Sequence, residues 1–238
     1  MTKRSLMTIT YSIVSFYEKL LSEILLIVIS VCLFITGLIV YENHVMVTTG
    51  YQKNFREYSP SRSFRFPELN GAIAWIRIDN TPIDYVVMQA DNNSKYLNRQ
   101  PDGSFALSGS IFLDYRNQSD FSDDYCLIYG HHMASQAMFG SLDRYYKESY
   151  FKKHRHGTLT LCDGTVFQMT AFSILKGRAD NPIYYELPGI SMTQRLNIIK
   201  RESHTYFAPD NHHILALSTC ASQSSLDRTI VFMTLSRS

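Results

Sequence analysis

The chain has 238 residues, 45% of them hydrophobic and 18% charged, with a formal net charge of +2. The hydrophobic share supplies a core of one-domain size, and the near-balanced charge excludes the basic surface expected of a nucleic-acid binder. Its 16 tyrosines and 14 phenylalanines favour strands, so the part outside the membrane is expected to be mainly β.

In chain order, residues 24–40 carry no charge and, with Leu20, Leu21 and Tyr41 at the edges, approach the ~20 residues that cross a bilayer. Lys3, Arg4 and Lys19 precede this run, so the positive-inside rule keeps the N-terminus in the cytoplasm. We expect a cytoplasmic N-terminus at 1–19, a transmembrane signal anchor at 20–41, a stalk with a helical segment at 42–66, and an extracellular domain at 67–238. A cleaved signal peptide competes with the anchor, but its apolar core is usually only ~7–15 residues. The segment Val40-Tyr41-Glu42-Asn43-His44 is also a poor cleavage site.

Eight short strand-like runs follow, at 74–78, 84–88, 110–113, 125–129, 158–161, 166–172, 214–220 and 228–233. Turn signals at Asp79-Asn80, Asp102-Gly103 and Asp163-Gly164 separate several of them. This pattern predicts a closed or partly closed eight-stranded barrel. Two helices are expected beside it, at 136–145 and 191–203. In the second, Met192, Leu196 and Ile199 share a face, Ser191 is placed to cap, and Gln194 occupies the capping-box position.

Of the four cysteines, Cys32 lies in the apolar run, which leaves Cys126, Cys162 and Cys220. An odd number cannot all pair, so one thiol is expected free, and Cys220 is the best placed. Cys126 and Cys162 read as buried small hydrophobes, with a disulfide between them left open.

Cys220 ends an apolar run, and Arg228 begins the next after seven residues. A thiolate is a strong nucleophile, and a nearby imidazole or guanidinium promotes that form. Neighbouring strands lie ~4.8 Å apart, so an arginine at the start of one reaches beside the end of the other. There it can hold a carbonyl or a developing oxyanion. Spacing alone leaves Arg228 equally open to being a surface charge paired with Asp227. His131, after Ile128-Tyr129-Gly130, is the best general acid and base, with Gly130 read as permitting a tight turn. His132 competes with it directly. His154, His156, His212 and His213 read as loop or turn residues, and no set has the partners of a zinc site. Ser218 and Thr219 flank the nucleophile and are candidate substrate contacts.

Leu217-Ser218-Thr219-Cys220 followed by Arg228, with Ile128-Tyr129-Gly130-His131 upstream, resembles the sortases, membrane-anchored cysteine transpeptidases of Gram-positive bacteria. Three further stretches point to class B. They are Ala74-Trp75-Ile76-Arg77-Ile78 with Ile83-Asp84-Tyr85-Val86-Val87, then Gly109-Ser110-Ile111-Phe112-Leu113-Asp114-Tyr115-Arg116-Asn117, then Met138-Phe139-Gly140-Ser141-Leu142. The resemblance covers about residues 67–235. It implies an eight-stranded sortase-type barrel with a few peripheral helices and an N-terminal transmembrane helix.

It further implies that Cys220 attacks the threonine carbonyl of a Pro-x-Thr-Gly-type sorting signal and holds the protein as a thioester. His131 would protonate the leaving glycine amine, Arg228 would stabilise the oxyanion, and Ser218 and Thr219 would contact the substrate. No metal or other cofactor is implied. The partners would be surface proteins or pilins bearing C-terminal sorting signals. The acceptor amine would come from lipid II and peptidoglycan or, for a class B pilin polymerase, from a pilin lysine. The absence of an Asp-Pro-aromatic lid segment and of a second apolar span argues against class C. A non-catalytic surface-anchored binding protein with the same barrel is the reading of another class.

Overall fold

The computed structural model describes residues 3–48, 58–61, 65–133, 135–187, 189–220 and 226–238, and for residues 3–12, 42–48 and 220 the backbone alone. Residues 49–57 and 62–64 of the expected stalk and 221–225 of the loop between Cys220 and Arg228 lie outside the described residues.

The chain divides into two compact units, residues 1–48 and 49–238. The first is one helix, Lys3–Thr48. Within it Ile13–Tyr41 contains an 18-residue stretch with a mean hydropathy of 2.9 and no buried residue. At ~1.5 Å per residue Ile13–Tyr41 exceeds the ~30 Å apolar thickness of a bilayer, so length and composition suffice for a membrane span.

In the second unit the described residues form nine strands in one sheet: β1 (Ala72–Ile78), β2 (Asp84–Met88), β3 (Ile111–Leu113), β4 (Tyr125–His131), β5 (His156–Leu161), β6 (Val166–Arg178), β7 (Thr205–Tyr206), β8 (Ile214–Cys220) and β9 (Asp227–Arg237). The order β5-β1-β2-β3-β4-β8-β9-β6 closes through a β5–β6 pairing, and β7 adds to the far part of β6. The barrel is therefore closed with eight strands, as expected, and the two-residue β7 is an addition that the sequence did not announce. The three anticipated turns form where residues tolerate left-handed backbone: Asn80, Gly103 and Gly164 have φ of 57°, 85° and 89°.

Period-two alternation sorts the central strands between two apolar clusters. Cys126 and Ile128 of β4, Leu215 and Leu217 of β8, and Val231, Met233 and Leu235 of β9 join the main core. The intervening Tyr125, Leu127, Ile214, Ala216, Ile230 and Phe232 join a second cluster with Ile199 of the helix Met192–Glu202. Burial on both faces explains why β8 and β9 read as nearly continuous apolar runs rather than as alternating ones. The helix 192–202 begins as expected, with Ser191 Oγ accepting from the Gln194 N–H at 3.2 Å.

The same helix supplies Arg195, buried with its guanidinium 3.9 Å from the Tyr125 ring centre. Its two terminal nitrogens donate to the carbonyls of Ile183 and Glu186. They thereby fix the turn Pro182–Tyr185, whose start is capped by Asn181 Oδ1 accepting from the Ile183 N–H at 3.0 Å.

The helix expected at 136–145 is instead an irregular turn followed by a 3-10 helix, Gly140–Tyr146. Gln136 and Met138 take φ of 64° and 52°, which an α-helix cannot hold. The buried Met138 N–H donates to Tyr85 Oη at 2.7 Å instead of to a helical carbonyl.

Candidate active site

The β4–β8 pairing builds the site. These strands run parallel with partners Ile128↔Leu217, Tyr129↔Ser218, Gly130↔Thr219 and His131↔Cys220. Two residues 89 positions apart in sequence thus end as register neighbours (220 − 131 = 89). Gly130 matters here, though not as a turn: it lies within β4, and an added Cβ would sit 2.4 Å from Ile111 Cδ1 and 2.7 Å from Phe139. Close packing, not backbone freedom, demands glycine before His131.

Beside this pair opens a cavity of about 470 Å³ whose wall includes His131, Thr219 and Arg228, together with Asn93, Tyr129 and Tyr185. His131 is half-buried, and its Nε2 lies 2.8 Å from the Leu97 carbonyl oxygen. A carbonyl only accepts, so Nε2 carries the hydrogen and Nδ1 is the atom left to exchange a proton. Burial depresses the His131 pKa below its ordinary value near 6.5, and the bond to Leu97 opposes that shift.

Arg228 lies on β9 opposite Gly177 of β6, and its Nη1 donates to the Asp227 carbonyl at 3.0 Å. The Thr219 hydroxyl oxygen accepts from the Thr229 N–H at 3.0 Å, which joins β8 to β9 beside Arg228. Ser218 is fully buried, its hydroxyl 2.9 Å from Tyr185 Oη. Four of the sequence-predicted residues therefore have described side chains. His131, Thr219 and Arg228 share the cavity wall, and Ser218 lies behind it under Tyr185.

His132 points elsewhere. It is exposed, with Nε2 2.6 Å from Asp143 Oδ2, and Asp143 Oδ1 accepts from the Thr229 hydroxyl at 2.6 Å. The thiols of Cys126 and Cys162 are free rather than bridged. Burial pushes both up from the usual thiol range, so neither is poised as a nucleophile. Among the described residues, no cluster of three or more His, Cys, Asp or Glu side chains is arranged to hold a metal ion.

Sequence reasoning missed Asn93, Leu97, Tyr129 and Tyr185 as wall residues. Only Tyr129 stood inside a stretch already singled out. Tyr185 reaches the wall through the Arg195-fixed turn, and its ring stacks on Tyr129 with centres 6.4 Å apart and planes 7° apart. A second cavity of about 430 Å³, lined by Asp123, Asp124 and Arg195 among others, holds none of the expected site residues.

No family model matches the chain. The sortase B proteins of Listeria monocytogenes and Staphylococcus aureus are each 29% identical to it, over 164 and 156 residues. Those alignments take in 66% and 62% of this chain, and the chain spans 65% and 62% of the length of these curated relatives. Among solved structures, a Streptococcus pyogenes class B sortase involved in pilus biogenesis is 35% identical with a TM-score of 0.65, and the match covers 93% of that protein and 70% of this chain. The chain belongs to the class B sortases. A Bacillus anthracis sortase B is a further match, 29% identical with a TM-score of 0.63, covering 71% of this sortase and 80% of its counterpart. The barrel closed through β5 and β6 is thus the sortase barrel that the sequence led us to expect.

Proposed function

We propose that this sortase is a cysteine transpeptidase that cuts a Pro-x-Thr-Gly-type sorting signal between threonine and glycine and transfers the protein to an amine. The observation that carries this reading is the parallel register that pairs His131 with Cys220, together with a cavity lined by both His131 and Arg228. The Cys220 sulfur bonds to the threonine carbonyl carbon, and the thiol proton passes to Nδ1 of His131. The carbon–nitrogen bond then breaks as His131 returns that proton to the glycine amine. In the second half an acceptor amine attacks the thioester, gives its proton to His131, and Cys220 leaves as the thiol. One amide replaces another, so no nucleotide is consumed. Arg228 holds the oxyanion in both halves, while Thr219 contacts the substrate from the wall and Ser218 fixes Tyr185 behind it.

The helix around Ile13–Tyr41 anchors the enzyme, and Lys3, Arg4 and Lys19 hold its N-terminus in the cytoplasm, so that the barrel works outside the cell. Attachment of surface proteins to peptidoglycan is the main reading. The 35% identity to a class B sortase involved in pilus biogenesis favours a second, in which the acceptor is a pilin lysine.

The test is to incubate the full chain in detergent with a panel of sorting peptides and read the intact mass. We expect an acyl adduct on Cys220 that an added amine discharges, and no adduct on Cys220→Ala. Turnover retained by that variant would remove Cys220 from the mechanism. Offering a peptidoglycan-type amine against a pilin lysine then names the acceptor.

A further inference from the structure

The stretch Asp114-Tyr115-Arg116-Asn117, which follows β3, has no part in the acyl transfer proposed above. It nevertheless carries the one fully buried carboxylate among the described residues, Asp114. Its Oδ1 accepts from the Arg116 N–H at 3.0 Å and from Arg116 Nε at 2.8 Å. Its Oδ2 accepts from Arg116 Nη2 at 2.8 Å, Asn93 Nδ2 at 2.9 Å and Tyr129 Oη at 3.0 Å. Arg116 Nη2 also donates to the Tyr185 carbonyl at 2.7 Å. Asn93, Tyr129 and Tyr185, drawn from three separate parts of the chain, all line the cavity beside His131, and all are tied to this one carboxylate.

We propose that Asp114 is a positioning residue for the substrate-binding wall, holding Asn93, Tyr129 and Tyr185 in one preformed arrangement. The proposal rests on the transpeptidase reading of the cavity. A buried carboxylate satisfied on both oxygens is costly to disturb, because every donor aimed at it loses its partner. Burial by itself raises the Asp114 carboxyl, but hydrogen bonds from Arg116 and Asn93 more than offset that and hold it ionised. Asparagine in its place would turn an NH₂ group toward Arg116 Nη2 and Asn93 Nδ2, which only donate. The Arg116 fork would then release, the Tyr129 hydroxyl would lose its ionic acceptor, and Tyr185, stacked on Tyr129, would lose its backbone tie. A wall that must be ordered by the incoming peptide binds it more weakly, because the ordering cost falls on binding.

The test uses the full chain in detergent and a sorting peptide that the wild type turns over. For Asp114→Asn we expect KM to rise by about tenfold or more while kcat changes by less than about threefold. Alkylation of Cys220 by iodoacetamide should keep its wild-type rate, because the proposed role lies in the wall and not in the thiol. Tyr129→Phe, which removes one donor and keeps the stacked ring, should raise KM by about threefold, and its effect should largely vanish on the Asp114→Asn background. An unchanged KM in folded Asp114→Asn overturns the proposal, as does a loss confined to kcat with slowed alkylation. If Asp114→Asn does not fold, Tyr129→Phe and Arg116→Gln decide: raised KM in both supports the proposal, and wild-type KM in both overturns it. A wild type that forms no Cys220 adduct with any sorting peptide fails the transpeptidase reading instead, and this proposal falls with it.

Discussion

Asp114 and Asp143 each link elements that meet at the same cavity, and they differ in almost everything but charge. Asp114 is fully buried and accepts from Arg116, Asn93 and Tyr129. Asp143 is half-exposed and joins His132, the residue after His131, to Thr229, the residue after Arg228. On paper the Asp143 contacts are the shorter, 2.6 Å against 2.8–3.0 Å. Distance is a poor guide to worth, however. Water competes for the exposed His132 and screens the Asp143 charge, so an exposed pair of this kind stabilises by about 0–1 kcal/mol. The Asp114 carboxylate is shut off from water while Arg116 is only partly exposed, and leaving its inward-facing donors unsatisfied costs about 1–3 kcal/mol. The comparison teaches that the β3–β4 side of the cavity is built to hold a fixed shape, while the Asp143 side is a trimmed surface contact.

The largest effect that would break this contrast concerns the two adjacent histidines. His131→Ala should lower kcat/KM for a sorting peptide by about 10²–10⁴, the usual contribution of a positioned acid–base group. His132→Ala, which releases only the exposed Asp143, should lower it by less than about threefold. The reverse ranking would mean that the Asp143 side carries the chemistry. Next comes stability: urea unfolding should show Asp114→Ala destabilised by about 1–3 kcal/mol and Asp143→Ala by less than about 1 kcal/mol. Equal losses would erase the distinction drawn from burial. A smaller effect falls on the guanidinium that lines the cavity between the two regions. Arg228→Lys keeps the charge and loses the planar fork, so kcat should fall by about 10–100-fold with KM little changed. Wild-type rates would reduce Arg228 to a surface charge.

Much of this architecture was legible from the sequence because the two-sided burial of β4, β8 and β9 writes itself as apolar runs. The far half of β6 was not. Lys176 and Gly177 do not look like strand residues, and they enter the sheet only because β9 offers Thr229 and Arg228 opposite them. Helical spacing at 136–145 misled for a related reason, since the Tyr85 hydroxyl, 53 residues away from Met138, rewards a non-helical backbone. At the site, His131, Cys220 and Arg228 stood out because each ends or begins an apolar run. The supporting shell was hidden. Nothing in Asp114-Tyr115-Arg116 says which of 21 acidic residues will be buried, and Asn93 and Tyr185 reach it through contacts 21 and 69 positions distant in the chain.

Acid should separate two groups on the β3–β4 side of the cavity, with His131 as the first to respond and Asp114 the second. Its folded pKa lies below the unfolded value near 6.5, because burial disfavours the imidazolium. Above that value both states hold neutral imidazole, and the group contributes nothing to the pH dependence. As pH falls below it, the unfolded chain takes up the proton first, so stability declines. Asp114 acts later. Its carboxyl is held below the unfolded value of about 3.9, so its contribution is complete above that pH and is lost only as pH falls through it toward the folded pKa. The urea midpoint should therefore slip as pH falls below about 6.5, and His131→Gln should flatten that slip without altering the steeper loss below about pH 4. Asp114→Asn should do the opposite, keeping the first decline and removing part of the second. If His131→Gln leaves the upper window unchanged, the imidazole is not protected from water in the folded chain, and the neutral resting state that the proposed proton transfer begins from is wrong.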